Sequence, residues 1–192
     1  MTVEVVPATA ERFEDLATII GPSTPGGDAC WCLSCRLTSS ENSRLVGPQR
    51  EEKVRELTRQ PVVPGLLAYV DGEVAGWVNT GPRAAIGRLQ RSRTILPVDD
   101  VPVWCVLCFV VRKGFTGRGL TRELLRGATE FARAHSAPAI EGYPIDPAGG
   151  WVSSAFLYVG TASTFAAEGF EVIGSTLATS GRLPRLVMRK RL

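Results

Sequence analysis

The stretch VVRKGFTGRGLTRELL, Val110 to Leu125, carries glycines at 114, 117 and 119 and basic side chains at Arg112, Lys113, Arg118 and Arg122. It joins an apolar run to an amphipathic one. A tight turn needs one glycine. So many glycines in so short a span leave backbone amides bare in a cationic setting, at the start of a helix. That arrangement suits a phosphate, because N–H groups and the positive end of the helix dipole point at the anion together.

The flanks define the context. Upstream, VWCVLCFVV is apolar on both faces and reads as a buried strand over Trp104–Val111. Downstream, Leu120, Leu124, Leu125, Ala128, Phe131 and Ala132 form a helical stripe that ends before Pro138. Further out, VEVVPA is a first strand, and TAERFEDLATII a helix with Thr9 as its N-cap. GPQREEKVRELTRQ is a second, exposed helix. GLLAYVDGEVAGWVNT is a hairpin that turns at Asp71-Gly72. Residues 82–102 are Arg-rich and include one short helix. PAIEGY is a strand, TASTFAAE a short helix closed by Gly169, and FEVIGS and PRLVMRK the last two strands. The order β-α-α-β-β-β-α-β-α-β-β predicts one α/β (α+β) domain over residues 1–192, with a mixed central sheet flanked by helices.

Three phosphate loops compete for the glycine stretch. The dinucleotide fingerprint G-x-G-x-x-G fails, since counting from Gly117 the sixth position is Arg122. A P-loop comes closer over Gly114–Gly119, with Thr121 at the metal-binding hydroxyl position, but Leu120 stands where its lysine belongs. The third fits the context best. Thr116, Gly117, Arg118, Gly119, Leu120 and Thr121 resemble motif A of the GNAT acyltransferase superfamily, Q/R-x-x-G-x-G/A between a buried strand and a long helix. Gly119 is kept; Thr116 and Thr121 depart from the usual residues. FAAEGFEVIG resembles the C-terminal helix and Gly-Phe turn of that superfamily. GPR…RSR, VWCVLCFV, EGYPID and YVGTASTF resemble a bacterial GNAT subgroup with no settled substrate.

The resemblance implies an N-acetyltransferase that uses acetyl-CoA as cosubstrate, with no metal. The amides of Gly117, Arg118, Gly119 and their neighbours would hold the coenzyme pyrophosphate. A backbone N–H near Phe109 or Val110, on the strand running to Val111, would polarise the thioester carbonyl. The family's leaving-group acid, a Tyr four residues before the Gly-Phe turn, falls on Phe165, which cannot donate a proton. Tyr158 is the first substitute, with Ser163, Thr164 or water as alternatives. For the base, Glu141 sits inside an apolar strand, where a carboxylate must be used or paired. A salt bridge to an arginine is the alternative, and Asp99 and Asp146 are weaker candidates. Trp31 and Arg36 are expected on the acceptor side, with core packing of Trp31 as the alternative. Tyr143, Trp151 and the PIDPAGGW loop are expected over the acyl chain. Arg83, Arg88, Arg91 and Arg93 face an anionic substrate, the coenzyme phosphates or simply solvent.

Composition narrows the classes. The chain has 192 residues and a net charge of +3, and only Lys53, Lys113 and Lys190 are lysines. The small charge and the absence of interleaved aromatics argue against nucleic acid. No apolar run approaches the roughly 18 residues of a membrane span. The N-terminal stretch has no secretion pattern, so a cytoplasmic protein is expected, as monomer or homodimer, with a small-molecule amine or protein lysine as acceptor. Five cysteines without an export signal are not a disulfide framework. Cys30, Cys32 and Cys35 invite zinc, but their natural partners Cys105 and Cys108 should point to opposite faces of a strand. A non-catalytic acyl-CoA sensor and a cysteine-based metal or redox switch remain as other classes.

Overall fold

Turn chemistry and alternation build the sheet from its middle. Asp71 and Gly72 both take positive φ, 49° and 86°, and close the hairpin between β2 (Gly65–Val70) and β3 (Glu73–Pro82). β1 (Val3–Pro7) pairs antiparallel with β2, and β4 (Trp104–Val111) pairs antiparallel with β3. The structure, a computed structural model, describes residues 1–24, 27–148, 150 and 152–192. Trp151 therefore lies outside the described residues.

The remaining strands are β5 (Ala139–Gly142), β6 (Glu171–Ser180) and β7 (Leu183–Arg191), and the seven-stranded order is β1-β2-β3-β4-β5-β7-β6. β4 and β5 are parallel to each other; all other pairs are antiparallel. Parallel neighbours need a crossover, and the helix over Leu120–Ala134 supplies it. Its stripe of Leu120, Leu124, Leu125, Ala128 and Ala132 is buried, and most of it packs with Trp104, Val106 and Phe109 of β4. The other face is covered by α1 (Phe13–Ile20), whose Phe13, Leu16 and Ile20 meet Leu67 and Trp77.

Some elements depart from the expectations. Thr9 does not cap α1: a short 3-10 turn over Ala10–Arg12 intervenes, and the Thr9 hydroxyl makes no cap hydrogen bond. Short helices α2 (Ser39–Arg44) and α4 (Gly87–Gln90) flank α3 (Pro48–Thr58) and the hairpin, which makes the long crossover helix α5 and the Ala162–Ala166 helix α6. α2 is held by a capping box, with the Thr38 hydroxyl accepting from the Glu41 amide while the Glu41 carboxylate accepts from the Thr38 amide. β6 runs beyond Ser175 because Gly181 and Arg182, at φ 58° and 68°, close a second tight hairpin. Among the described residues no helix is long and apolar enough to cross a membrane.

Candidate active site

The glycine loop leaves the end of β4 and enters α5. Gly114, Gly117 and Gly119 all have positive φ, at 95°, 76° and 77°, a region that a side chain rarely tolerates. A Cβ added at any of them would meet no protein atom within 4 Å, so the glycines answer to the backbone path and to open space in front of it. Among the described residues the amides of Gly117, Arg118, Gly119, Leu120 and Thr121 meet no acceptor. They therefore cluster as free donors on the positive end of a 15-residue helix. The flanking cations divide. Arg122 and Arg126 clasp the carboxylate of Glu168 beyond α6, at 2.7 Å each, and Arg112 pairs with Glu73 at 3.0 Å. Lys113 and Arg118 have no carboxylate partner among the described residues. Arg118 lies over the Phe115 ring at 5.2 Å.

Beside the loop the sheet opens. β4 pairs with β5 only from Trp104 to Val106, so the β5-facing edge of β4 from Leu107 to Val111 has no strand neighbour. On its other edge the register with β3 slips, Thr80 facing Val106 and Asn79 facing Cys108, so Leu107 is the extra residue of a β-bulge. A cavity of about 760 Å³ adjoins the bulge, with Leu107, Tyr143, Tyr158 and Cys35 in its wall. An anion cradle thus lies at one end of a wedge and a chamber lies beside its middle.

The sequence matches the Acetyltransferase (GNAT) family over residues 33–142, which includes β4, the glycine loop, α5 and β5. The chain belongs to the GNAT acetyltransferase family. Solved structures of that family share its architecture. A GCN5-related N-acetyltransferase from Kribbella flavida is 20% identical over 99% of this chain and 98% of its own, at TM-score 0.55. The PaiA N-acetyltransferase from Thermoplasma acidophilum, in complex with coenzyme A, is 15% identical over the whole of both chains, at 0.53. AAC(6')-Ib, in complex with ribostamycin and coenzyme A, is 15% identical over 100% of this chain and 94% of its own, at 0.57. No curated protein sequence matches.

In this GNAT chain the remaining candidates are not all where the sequence places them. Tyr158 sits on a 3-10 turn (Ser154–Val159), 38% exposed, in the cavity wall. Phe165 is fully buried, edge-on to Phe109 and Phe170, and packs so tightly on Gly142 that a Cβ there would lie 2.0 Å from its ring. Tyr143 lines the cavity floor. Its hydroxyl points inward, accepting from Arg83 at 2.7 Å and donating to Glu141 at 3.1 Å. Burial holds its ionisation well above the ordinary range.

Glu141 takes the salt-bridge alternative and not the place of a base. It is 2% exposed, and one oxygen accepts twice from Arg189, at 2.9 and 2.6 Å, while the other takes the Tyr143 hydroxyl. Arg189 in turn clasps Asp99 at 2.6 and 2.8 Å. The carboxylate is paired rather than open to an amine, because an unpaired charge at that depth would be too costly. Asp146 accepts the Ala148 amide.

Trp31 and Arg36 also turn inward. Trp31 stacks on Phe13 at 5.9 Å in the core under α1. Arg36 donates to the Pro64 carbonyl, Asn79 Oδ1 and the Thr80 carbonyl at 2.8, 2.8 and 2.6 Å, pinning the CWC loop to β3 and to the residue before β2. Burial brings its guanidinium down to about 10. Trp31 thus takes the core-packing alternative, and the loop turns through positive φ at Trp31 and Cys32 (51° and 53°). Arg83, expected to face an anion or solvent, is buried on Tyr143 and the Ile95 carbonyl.

The expectation that Cys105 and Cys108 face opposite ways fails at the bulge, which shifts the alternation by one residue. Cys105 reaches Tyr143 at 3.2 Å, and Cys108 meets Cys32 and Cys35 on the same side of the sheet. Contact with Cys108 brings Cys35 down to about 7, against the opposing effect of burial. Among the described residues no group of three or more His, Cys, Asp or Glu is disposed to hold a metal.

Proposed function

We propose that this GNAT chain moves an acetyl group from acetyl-CoA to a primary amine by direct attack. The observation that carries the proposal is the set of free amides at Gly117–Thr121, displayed by positive-φ glycines where β4 and β5 part. In this reading those amides, with Lys113 and Arg118, hold the coenzyme pyrophosphate. The pantetheine arm follows the open edge of β4, and the amide of Phe109 donates to the thioester oxygen; the Val110 amide turns to β3, as the Arg112 amide does when it donates to Ala75. The charge that develops there in the tetrahedral intermediate is stabilised most, which is where acceleration comes from.

The amine nitrogen attacks the carbonyl carbon from the cavity side and the C–S bond breaks. The ammonium proton passes to water in the cavity, because Glu141 is engaged by Arg189. The leaving thiolate takes a proton from Tyr158. A second reading, an acyl-CoA sensor without turnover, is favoured by one feature: Phe165 occupies the place of the family's usual acid.

Turnover separates the two. Release of free coenzyme A from acetyl-CoA should rise with added amine, with a matching gain of one acetyl group in the amine by mass spectrometry. Tyr158→Phe should lower kcat by about 10²-fold or more, the usual worth of a positioned acid, with KM for acetyl-CoA little changed. Coenzyme binding without amine-dependent release would establish the sensor instead.

A further inference from the structure

The cavity beside the bulge has an unusual charge. Arg88, Arg91, Arg93 and Arg185 line it, and no carboxylate does. Elsewhere in the chain several arginines are paired: Arg55, Arg112, Arg122, Arg126, Arg133 and Arg189 each meet an Asp or Glu. None of the cavity arginines does so among the described residues. Glu41, whose carboxylate feels Arg91, is turned back onto Thr38 at 2.6 and 2.9 Å. Four arginines without a carboxylate partner among the described residues are thus gathered at one chamber.

Arg185 is the most telling. It is half-buried on β7, with its guanidinium 6.0 Å from the centre of the Tyr143 ring and Nε donating to the Tyr143 carbonyl at 2.8 Å. Its two Nη groups donate to no described residue. Burial lowers its affinity for a proton, and only Tyr158, Cys35 and Tyr143 stand near to oppose that. A desolvated guanidinium without a carboxylate is costly, and a planar fork with free Nη groups is the geometry that receives an oxyanion in two parallel hydrogen bonds. Ser34, Thr38 and Thr179 add hydroxyls to the same wall.

The coenzyme is not the natural owner of this charge. Its proposed cradle lies on α5, which packs with Trp104, Val106 and Phe109; the cavity adjoins Leu107 and Tyr143, on the opposite face of β4. A polycationic acceptor is equally ill-suited. AAC(6')-Ib was solved with ribostamycin, an aminoglycoside rich in ammonium groups, and such a ligand would meet like charge here.

We propose that the cavity takes a small amine that also bears a carboxylate or phosphate, the oxyanion held by Arg185 with Arg88, Arg91 and Arg93 and the amine turned toward β4 at Leu107. The fate of the amine rests on the acetyl-transfer reading; the seat for the anion does not. A volume of about 760 Å³ is in keeping with a small-molecule site.

The test has a binding arm and a turnover arm, both with the full chain and saturating coenzyme. In the first, 4-aminobutyrate, O-phosphoethanolamine, 4-aminobutyramide, ethanolamine and 1,4-diaminobutane are titrated calorimetrically. The two anionic amines should bind, and the neutral and dicationic ones should bind at least tenfold more weakly. Which anion binds tighter distinguishes a carboxylate seat from a phosphate seat. Arg185→Met should weaken the anions by about 10- to 100-fold, the worth of a charge-assisted pair, with coenzyme affinity retained. Arg91→Gln with Arg93→Gln, at exposed positions, should weaken them without touching the fold, which guards against a misfolded Arg185 variant.

In the second arm, kcat/KM should favour the anionic member of each pair by a similar factor. Preference for the neutral or dicationic amine, or no anion binding, overturns the proposal. Loss of coenzyme affinity in Arg185→Met also overturns it, by giving the arginines to the coenzyme. Anion binding that the variants lose, without any turnover, upholds the anion seat and refutes acetyl transfer instead.

Discussion

Glu168 offers a prediction in which sign and size can both be worked out. Its carboxylate is 7% exposed and receives Arg122 Nε at 2.7 Å, Arg126 Nε at 2.7 Å and Arg126 Nη2 at 3.0 Å, joining the end of α6 to the first turns of α5. Hydrogen bonds to charged groups are worth about 1.5–3 kcal/mol each when dry. The two guanidiniums are 47% and 50% exposed, so water screens the clasp and the sum must be cut to about 2 kcal/mol. Glu168→Gln keeps the shape and an acceptor but loses the charge. A domain of this size should then melt about 4–8 °C lower at neutral pH.

The pH dependence adds a sharper criterion. Burial pushes the Glu168 carboxyl up, but the hydrogen bonds from Arg126 and Arg122 outweigh it and hold it below its ordinary value. A carboxyl depressed by folding contributes stability that is complete above its unfolded value, near 4.3, and is lost as pH falls through the folded value. Thermal melts of both proteins from pH 7 downward should therefore converge in acid, below about pH 4. A constant gap at every pH, or no gap at pH 7, would reduce the clasp to a screened surface contact.

Further outcomes follow from the same geometry. Cys35, held near 7 by contact with Cys108 and assisted by Ser34, Arg185 and Arg88, should alkylate with iodoacetamide along a pH curve centred near 7 rather than near the ordinary 8.5. Cys105, pushed up to about 12 by burial, should stay unlabelled in the native protein; peptide mapping by mass reads both, and a Cys35 midpoint at 8.5 would contradict the contact. Gly142→Ala puts a methyl 2.0 Å from the Phe165 ring and should cost about 1–3 kcal/mol or more by overpacking, an unfolding midpoint shift that urea titration detects. Adding Phe165→Leu should return part of that loss; no recovery would mean that the strain lies elsewhere.

Much of the frame is legible in the sequence because it depends on local chemistry. Asp71-Gly72 names its own turn, the stripe from Leu120 to Ala132 names the buried face of α5, and the run Trp104–Val111 is too apolar to be anything but a central strand. The glycines of the loop are likewise visible as a local anomaly. Even the missed α2 left a signal, since Thr38-Ser-Ser-Glu41 is a capping box in plain sequence.

What stays hidden depends on partners far along the chain. Nothing in VWCVLCFVV marks Leu107 as the extra residue, because the bulge is defined only by how Thr80 and Asn79 pair with it; with the bulge unseen, Cys105 and Cys108 are assigned to opposite faces. Glu141 reads as either a catalytic base or a salt-bridge partner, and only Arg189, 48 residues on, decides for the pair. Trp31 and Arg36 read as substrate contacts or, for Trp31, as core; the structure buries both, with positive φ at Trp31 and Cys32 in the turn between them. Arg185 lies in an ordinary strand sequence. Its place in the cavity arises from β7 pairing beside β5, which no local pattern announces.

The most direct test of the account is calorimetric titration of acetyl-CoA and coenzyme A into the protein and into Gly119→Glu. The substituted residue keeps a left-handed position at φ 77° and meets no protein atom, so the fold should lose only about 1–2 kcal/mol, while a carboxylate is set in the open space before the loop amides. Saturable binding of both ligands to the native protein, and none to a folded Gly119→Glu, is the expected result. Binding that survives the substitution would contradict the assignment of Gly117–Thr121 as the pyrophosphate site.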